Sequence, residues 1–273
     1  KVIPLYIVDA FTQEPFKGNP AAVCVLSSTI SDQLMQAIAY ELNCPETAFV
    51  MKQDDGFSLR WFAPLQEMDL CGHATLATAH ILYQQQIINP DQMIRFYTRS
   101  GLLLVKSQGD TIMMDFPKEE SSECSIQQWI IDALGVKPVF TGKNRMDYLI
   151  EVESDKEVIM VSPDFITLKN LDSRGVIITA QSSKNEFDFV SRFFAPGIGV
   201  NEDPVTGSAH CCLGPYWQKK LHKNHFVAYQ ASQRGGMLKI EVKDNRVFIG
   251  GTAITVLKGE FNIQEVCYVQ DNL

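Results

Sequence analysis

Arg60-Trp61-Phe62-Ala63-Pro64 runs through an acidic loop to Cys71-Gly72-His73-Ala74-Thr75, which opens a stretch of small and apolar residues. The same order returns later in the chain. Arg192-Phe193-Phe194-Ala195-Pro196 runs through an acidic loop to Thr206-Gly207-Ser208-Ala209-His210. The offset is 132 residues at the arginine and 135 at the glycine, so the second loop carries a three-residue insertion. The aromatic-Ala-Pro start, the acidic loop, the glycine and the helix type all recur in order, and we read them as two structurally similar lobes.

The elements around each copy alternate. Strands are predicted over Val2–Val8, Ala21–Leu26, Thr47–Lys52 and Phe57–Phe62. A helix is predicted from Ser31 or Asp32 to Leu42, with Leu34, Met35, Ile38 and Leu42 at helical spacing and Asn43 and Pro45 as its stop. Gly72–Gln84 reads as a buried helix. Met93–Thr98, Gly101–Lys106 and Thr111–Phe116 read as further strands. After Pro117 the chain turns polar, and Lys118–Ser125 reads as a crossover into a helix around Ile126–Leu134. The series then restarts with strands at Tyr148–Val152 and Glu157–Val161, a helix at Ser162–Leu171 and a strand at Gly175–Ala180. Glu186–Phe194, the Ala195–Gly207 loop and a Ser208–Lys219 helix follow. Gly236–Val242, Arg246–Gly250 and Thr252–Gly259 close the chain as meandering strands.

The bulk numbers set limits. A chain of 273 residues stands where one core begins to divide into two, and its 45% hydrophobic content suffices for burial without staples. A formal charge of −8 argues against nucleic acid and against anionic membrane surfaces, both of which call for a basic face. There is no apolar stretch long enough to span a bilayer. Lys1–Asp9 reads as a strand and not as a secretory leader, so a cytoplasmic protein is expected. The seven cysteines, Cys24, Cys44, Cys71, Cys124, Cys211, Cys212 and Cys267, are odd in number and scattered, which fits free thiols in a reducing compartment.

A glycine at the start of a helix lets a ligand come close to unpaired N–H groups, and the helix dipole favours negative charge there. Two such starts meeting between lobes, at Gly72 and Gly207, would make a carboxylate-binding cleft. His73 and Asp203 lie beside those starts and could hold or move protons across it. Each alone also reads as an ordinary structural residue, a hydrogen-bonded histidine or a capping aspartate. Glu46 sits between a helix end and an apolar strand, a setting that suits acid/base work. By spacing alone it reads more readily as an exposed loop glutamate. Cys71, at a helix N-terminus, could serve as base or nucleophile, but its repeat partner is Thr206, so no two-thiol arrangement exists. Phosphate, dinucleotide, nucleophile-elbow and zinc motifs are absent.

Several segments resemble the phenazine-biosynthesis-F-like (PhzF-like) family in order along nearly the whole chain. They are Phe16-Lys17-Gly18-Asn19-Pro20-Ala21-Ala22-Val23, Pro45-Glu46-Thr47-Ala48-Phe49, Leu70-Cys71-Gly72-His73-Ala74-Thr75, Glu202-Asp203-Pro204-Val205-Thr206-Gly207-Ser208-Ala209-His210 and Ser232-Gln233-Arg234-Gly235-Gly236. The resemblance implies an α+β fold of the diaminopimelate-epimerase type. Its two pseudo-repeated lobes are each a curved, mostly antiparallel sheet wrapped as an open barrel around a central helix, with the active site between them. We divide them at 1–117 and 118–273, the final strands being free to return to the first lobe. The resemblance also implies an isomerase without metal or organic cofactor, acting on a small carboxylate-bearing metabolite, with dimerisation. In the phenazine enzyme an allylic proton of a dihydro-hydroxyanthranilate is moved by the glutamate matching Glu46. His73 and Asp203 are then expected to orient or shuttle the proton. Ser208, with backbone N–H groups near Gly72 and Gly207, would hold the carboxylate, and Asn19 would lie close by. The alternatives are a one-thiol epimerase using Cys71, or a small-molecule-binding protein without catalysis.

Overall fold

The computed structural model describes residues 2–263; Cys267, expected to be a free thiol, lies outside the described residues. The first lobe opens with antiparallel strands Val2–Ala10 and Asn19–Leu26. The helix Asp32–Leu42, capped by the Ser31 hydroxyl, then crosses over to the parallel strand Glu46–Lys52. Phe57–Phe62 pairs antiparallel with that strand, and the helix Gly72–Gln84 carries the chain to the parallel strand Ile94–Thr98. Gly101–Gln108 and Thr111–Pro117 complete the meander.

The second lobe repeats this plan. Pro138–Lys143 pairs with Asp147–Val152, and short helices Asp155–Met160 and Phe165–Leu168 lead to the parallel strand Gly175–Gln181. Phe189–Ala195 pairs with it, and the helix Gly207–Leu221 leads to the parallel strand His225–Gln230. Gly236–Lys243 and Arg246–Gly251 follow. The lobes join where Thr111–Pro117 pairs with Arg246–Gly251. The second lobe closes on itself at its start and lends its last strand to the first. Ser122–Glu123 pairs with Pro138–Lys143, and Ala253–Asn262 runs antiparallel along the whole of Val2–Ala10. The described strands thus form one continuous 18-stranded sheet curled around two helices.

Both central helices are buried nearly all round, as their small and apolar sequences require. In Gly72–Gln84 the buried Thr75 and Thr78 hydroxyls donate to the carbonyls of Cys71 and Ala74, which satisfies them inside the core. In Gly207–Leu221, Gly214 packs closely, since a Cβ there would press on the Ile240 and Val242 side chains at 3.1 Å. Pro215 sits inside this helix and cannot donate to the carbonyl of Cys211. The Glu119 N–H, from the crossover between lobes, takes that carbonyl at 3.1 Å instead. Trp217 stacks on Phe189 and donates its indole N–H to Thr179, filling the second barrel. One apolar cluster runs through both lobes, and two smaller ones lie under the outer helices.

Two predicted elements take another form, and two strands were not predicted. Glu157–Val161 is not a strand: Asp155–Met160 is helical, because Ser154 accepts from the Glu157 N–H and Arg192 collects the carbonyls of Val158, Ile159 and Val161. The helix expected over Ser162–Leu171 contracts to Phe165–Leu168, started by Asp164 after Pro163. Pro138–Lys143 and His225–Gln230 are strands that the sequence pattern did not mark.

Candidate active site

The two central helices meet end to end. A Cβ built on Gly72 would lie 3.5 Å from the Cα of Gly207, and one on Gly207 would lie 3.6 Å from the Cα of Gly72. The N-caps are Cys71 and Thr206, both extended, and neither side chain caps its own helix. The carbonyls of these N-caps are held alike, by the Thr75 hydroxyl at 2.6 Å and by His210 Nδ1 at 2.8 Å. The first-turn N–H groups therefore face the junction without a side-chain cap, which favours an anion between the lobes.

On the first lobe's side, Glu46 opens its strand with a side chain 18% exposed, and its Oε2 lies 3.1 Å from Nε2 of buried His73. His73 Nδ1 faces Cys71 Sγ at 3.5 Å, so the imidazole stands between thiol and carboxylate. Burial works against a charge on His73, but the negative charge of Cys71 and Glu46 and their hydrogen bonds outweigh it and hold its pKa well above the ordinary value. Burial, aided by the charge of Glu46, pushes the Cys71 thiol up in turn. Donor atoms of Glu46, Cys71 and His73 lie within 4.8 Å of one another, close enough to suggest a metal. The ring, however, turns Nε2 to Glu46 and Nδ1 to Cys71, so both of its nitrogens already face protein groups. Both the thiol and the imidazolium would also have to lose protons.

On the second lobe's side, Asp203 is partly buried, and burial raises its pKa against the opposing charge of His73 and the hydrogen bond from Thr206. Its Oδ2 accepts from the Thr206 hydroxyl at 2.6 Å and its Oδ1 from Asn19 Nδ2 at 2.8 Å. Asn19 belongs to the first lobe and donates also to the Val205 carbonyl, so it ties the lobes at this point. Gln230 accepts from the Thr206 N–H and donates to the Asp203 carbonyl, fixing the loop before the helix. Ser208, one residue into the helix, accepts from Arg174 Nη1 at 2.8 Å.

The seven expected residues thus fall at one junction: Glu46 and His73 touch, Asn19 touches Asp203, and Gly72 faces Gly207 beside Ser208. Sequence reasoning passed over Arg174, its partner Asp147, and Gln230. No motif surrounds them, and only alignment of the two lobes could have drawn attention to Arg174. None of the expected residues lines either of two surface cavities, of about 340 and 390 Å³, found elsewhere on the molecule. Convergent polar groups mark the junction.

With this geometry in hand, the similarities to known proteins are informative. Residues 8–259 match the family described as phenazine biosynthesis-like protein, PhzC-PhzF. A protein of Halalkalibacterium halodurans named an uncharacterized isomerase is 55% identical over 258 residues, covering 94% of this chain and 97% of its own. The crystal structure of a phenazine biosynthesis protein of the PhzF family from Enterococcus faecalis superposes with a TM-score of 0.93 at 45% identity, covering 96% of this chain and all of that one. The fold alone extends to a hydroxyproline epimerase of Agrobacterium vitis, with a TM-score of 0.64 at 10% identity over 95% of this chain and 92% of that one. No described helix is long and apolar enough to cross a membrane.

Proposed function

We propose that this chain, which belongs to the phenazine biosynthesis-like family and so stands among isomerases, moves a proton between carbons of a small carboxylate-bearing metabolite, with Glu46 as its general acid/base. The observation that carries this reading is the contact of Glu46 with His73 beside the paired helix starts. The contact with His73 holds the Glu46 carboxylate in place, so it can accept a proton from carbon. The negative charge that develops on the substrate is met by the first-turn N–H groups at Gly72 and Gly207 and by Ser208. Glu46, now neutral, returns the proton to another carbon on the same face. Asp203, raised by burial and braced by Asn19 and Thr206, holds a polar group of the substrate and helps orient the proton.

The same reading needs neither metal nor organic cofactor. It divides the lobes at residues 117 and 118 and makes the protein a cytoplasmic homodimer whose partner is a small carboxylate, with no nucleic acid or membrane. The one-thiol alternative is weakened because the Cys71 thiol is pushed up by burial and Thr206 is engaged with Asp203. Glu46→Gln should abolish exchange of substrate protons with heavy water, by at least about a hundredfold, while the variant still binds carboxylates. Unchanged exchange in Glu46→Gln, or full loss on Cys71→Ala alone, would refute the assignment.

A further inference from the structure

The lobe repeat carries one consequence that concerns binding. Thr47 pairs with Phe62 and Val176 pairs with Phe194, and Phe62 and Phe194 are repeat partners. The second lobe's counterpart of Glu46 is therefore Gly175. By the 135-residue offset, the counterpart of His73 is Ser208. A side chain at 175 has no room, since a Cβ there would meet the Phe193 ring at 2.6 Å and the Phe194 carbonyl at 2.7 Å. The preceding residue, Arg174, supplies the side chain instead, and its Nη1 donates to Ser208 at 2.8 Å. Where one lobe sets a carboxylate against an imidazole, the other sets a guanidinium against a hydroxyl.

The arginine is held for this task. Its Nε donates to Asp147 Oδ1 at 2.9 Å and its Nη2 to Asp147 Oδ2, and the guanidinium lies 5.1 Å from the centre of the Phe193 ring. Asp147 is fully buried, whereas the Arg174 side chain is 28% exposed. One N–H on each terminal nitrogen remains free of these bonds, and the Ser208 hydroxyl, which accepts from Arg174, still has its own proton to donate. The fork, the hydroxyl and the helix start together match a planar carboxylate.

We propose that Arg174 is the residue that selects an anionic substrate here, clamping its carboxylate together with Ser208 while Glu46 works on carbon from the opposite lobe. This rests on the isomerase reading for the identity of the substrate group, though not for the binding itself. The test uses benzoate and its uncharged isostere benzamide, titrated into the full-length protein and followed by NMR. The wild-type chain is expected to prefer benzoate. In Arg174→Gln that preference should fall at least about tenfold, with benzamide affinity unchanged, and Arg174→Lys should recover part of it. Arg174→Gln leaves the buried Asp147 carboxylate unpaired and risks unfolding, so Asp147→Asn/Arg174→Gln serves as the second variant and should show the same loss. Equal preference in wild type and variants, no preference in the wild type, or equal weakening of both ligands overturns the proposal. Glu46→Gln should keep the benzoate preference. If it loses proton exchange while Arg174 proves irrelevant to benzoate, the isomerase reading survives and this one falls; the reverse pattern separates them the other way.

Discussion

On the proposed reading, glycine at position 207 serves the ligand and not the fold. A methyl group there would meet the Gly72 Cα at 3.6 Å, an ordinary contact. Gly207→Ala should therefore hold its thermal midpoint, or gain a little, since alanine loses about 0.5–1 kcal/mol less backbone entropy on folding. The same methyl would stand between the two helix starts, where a carboxylate must approach the N–H groups. Benzoate affinity and proton exchange should both fall at least about tenfold, and a variant that loses stability and binding together would contradict this division of roles. At this scale the sequence was partly legible. Gly72, Gly207, His73 and Asp203 were found because the repeat marks them. Glu46 looked like a loop glutamate from its own neighbourhood, since what distinguishes it is a through-space contact with His73. Arg174 escaped because its counterpart position in the other lobe is Pro45, with Glu46 one step further along.

Among the elements, the central helices were legible to within a residue or two, because burial on all sides leaves an unmistakable composition. The helix Asp155–Met160 was not, because Val158-Ile159-Met160-Val161 has the residues of a strand and only the Ser154 cap speaks for a helix. The two central helices also solve one problem in two ways. Thr75 and His210 occupy equivalent positions and hold the carbonyls of Cys71 and Thr206. The histidine adds a pH dependence that the threonine does not. Burial pushes the pKa of His210 down to about 4 from an ordinary 6.5. The unfolded chain therefore binds more protons between those values. The stability this group contributes is present above pH 6.5 and is lost as pH falls toward 4, by about 3 kcal/mol in all. His210→Thr borrows the first lobe's solution. It should lower stability at neutral pH through the cavity it leaves, by about 2–3 kcal/mol, yet flatten the decline between pH 6.5 and pH 4. His80, also lowered by burial, leaves a residual slope in the same direction. Denaturant melts of both proteins across this range decide it; parallel curves would show that His210 is not the group responsible.

The whole molecule is two lobes joined by the return of the last strand to the first lobe, and the sequence carried the lobe plan in its repeat. The arginine–glutamate pairs underline it: Arg60 binds Glu67 and Arg192 binds Glu202, each with Nε at 2.7 Å and each guanidinium over the phenylalanine two residues on. What the repeat could not disclose is where the lobes depart from symmetry. Arg234 stands two residues before Gly236 as Arg99 stands two before Gly101, but their partners differ. Arg99 stays within its own lobe on Glu67, whereas Arg234 reaches into the other lobe. It donates to Asp9 Oδ1 and the Gly18 carbonyl at 2.8 Å and to the Lys17 carbonyl at 2.9 Å, and the Gly18 N–H returns a bond to the Gly235 carbonyl. Gly18 has φ +64, and a Cβ there would lie 2.1 Å from the Ala10 carbonyl oxygen, so the strap has no substitute at its turn. This one-sided latch closes the edge of the cleft nearest Asn19 and Asp203. A ligand that enters between the lobes from that edge needs it to yield. Arg234→Lys keeps a charge for the buried Asp9 but cannot span the two carbonyls as a planar fork does. Its global stability should stay within about 1 kcal/mol of wild type. Amides of residues 12–18 should exchange with heavy water at least about tenfold faster, while those of the Gly72–Gln84 helix keep their protection. A uniform rise across both lobes would mean that Arg234 stabilises the fold as a whole; a rise confined to the strap would identify it as the fastening that sets how readily the lobes part.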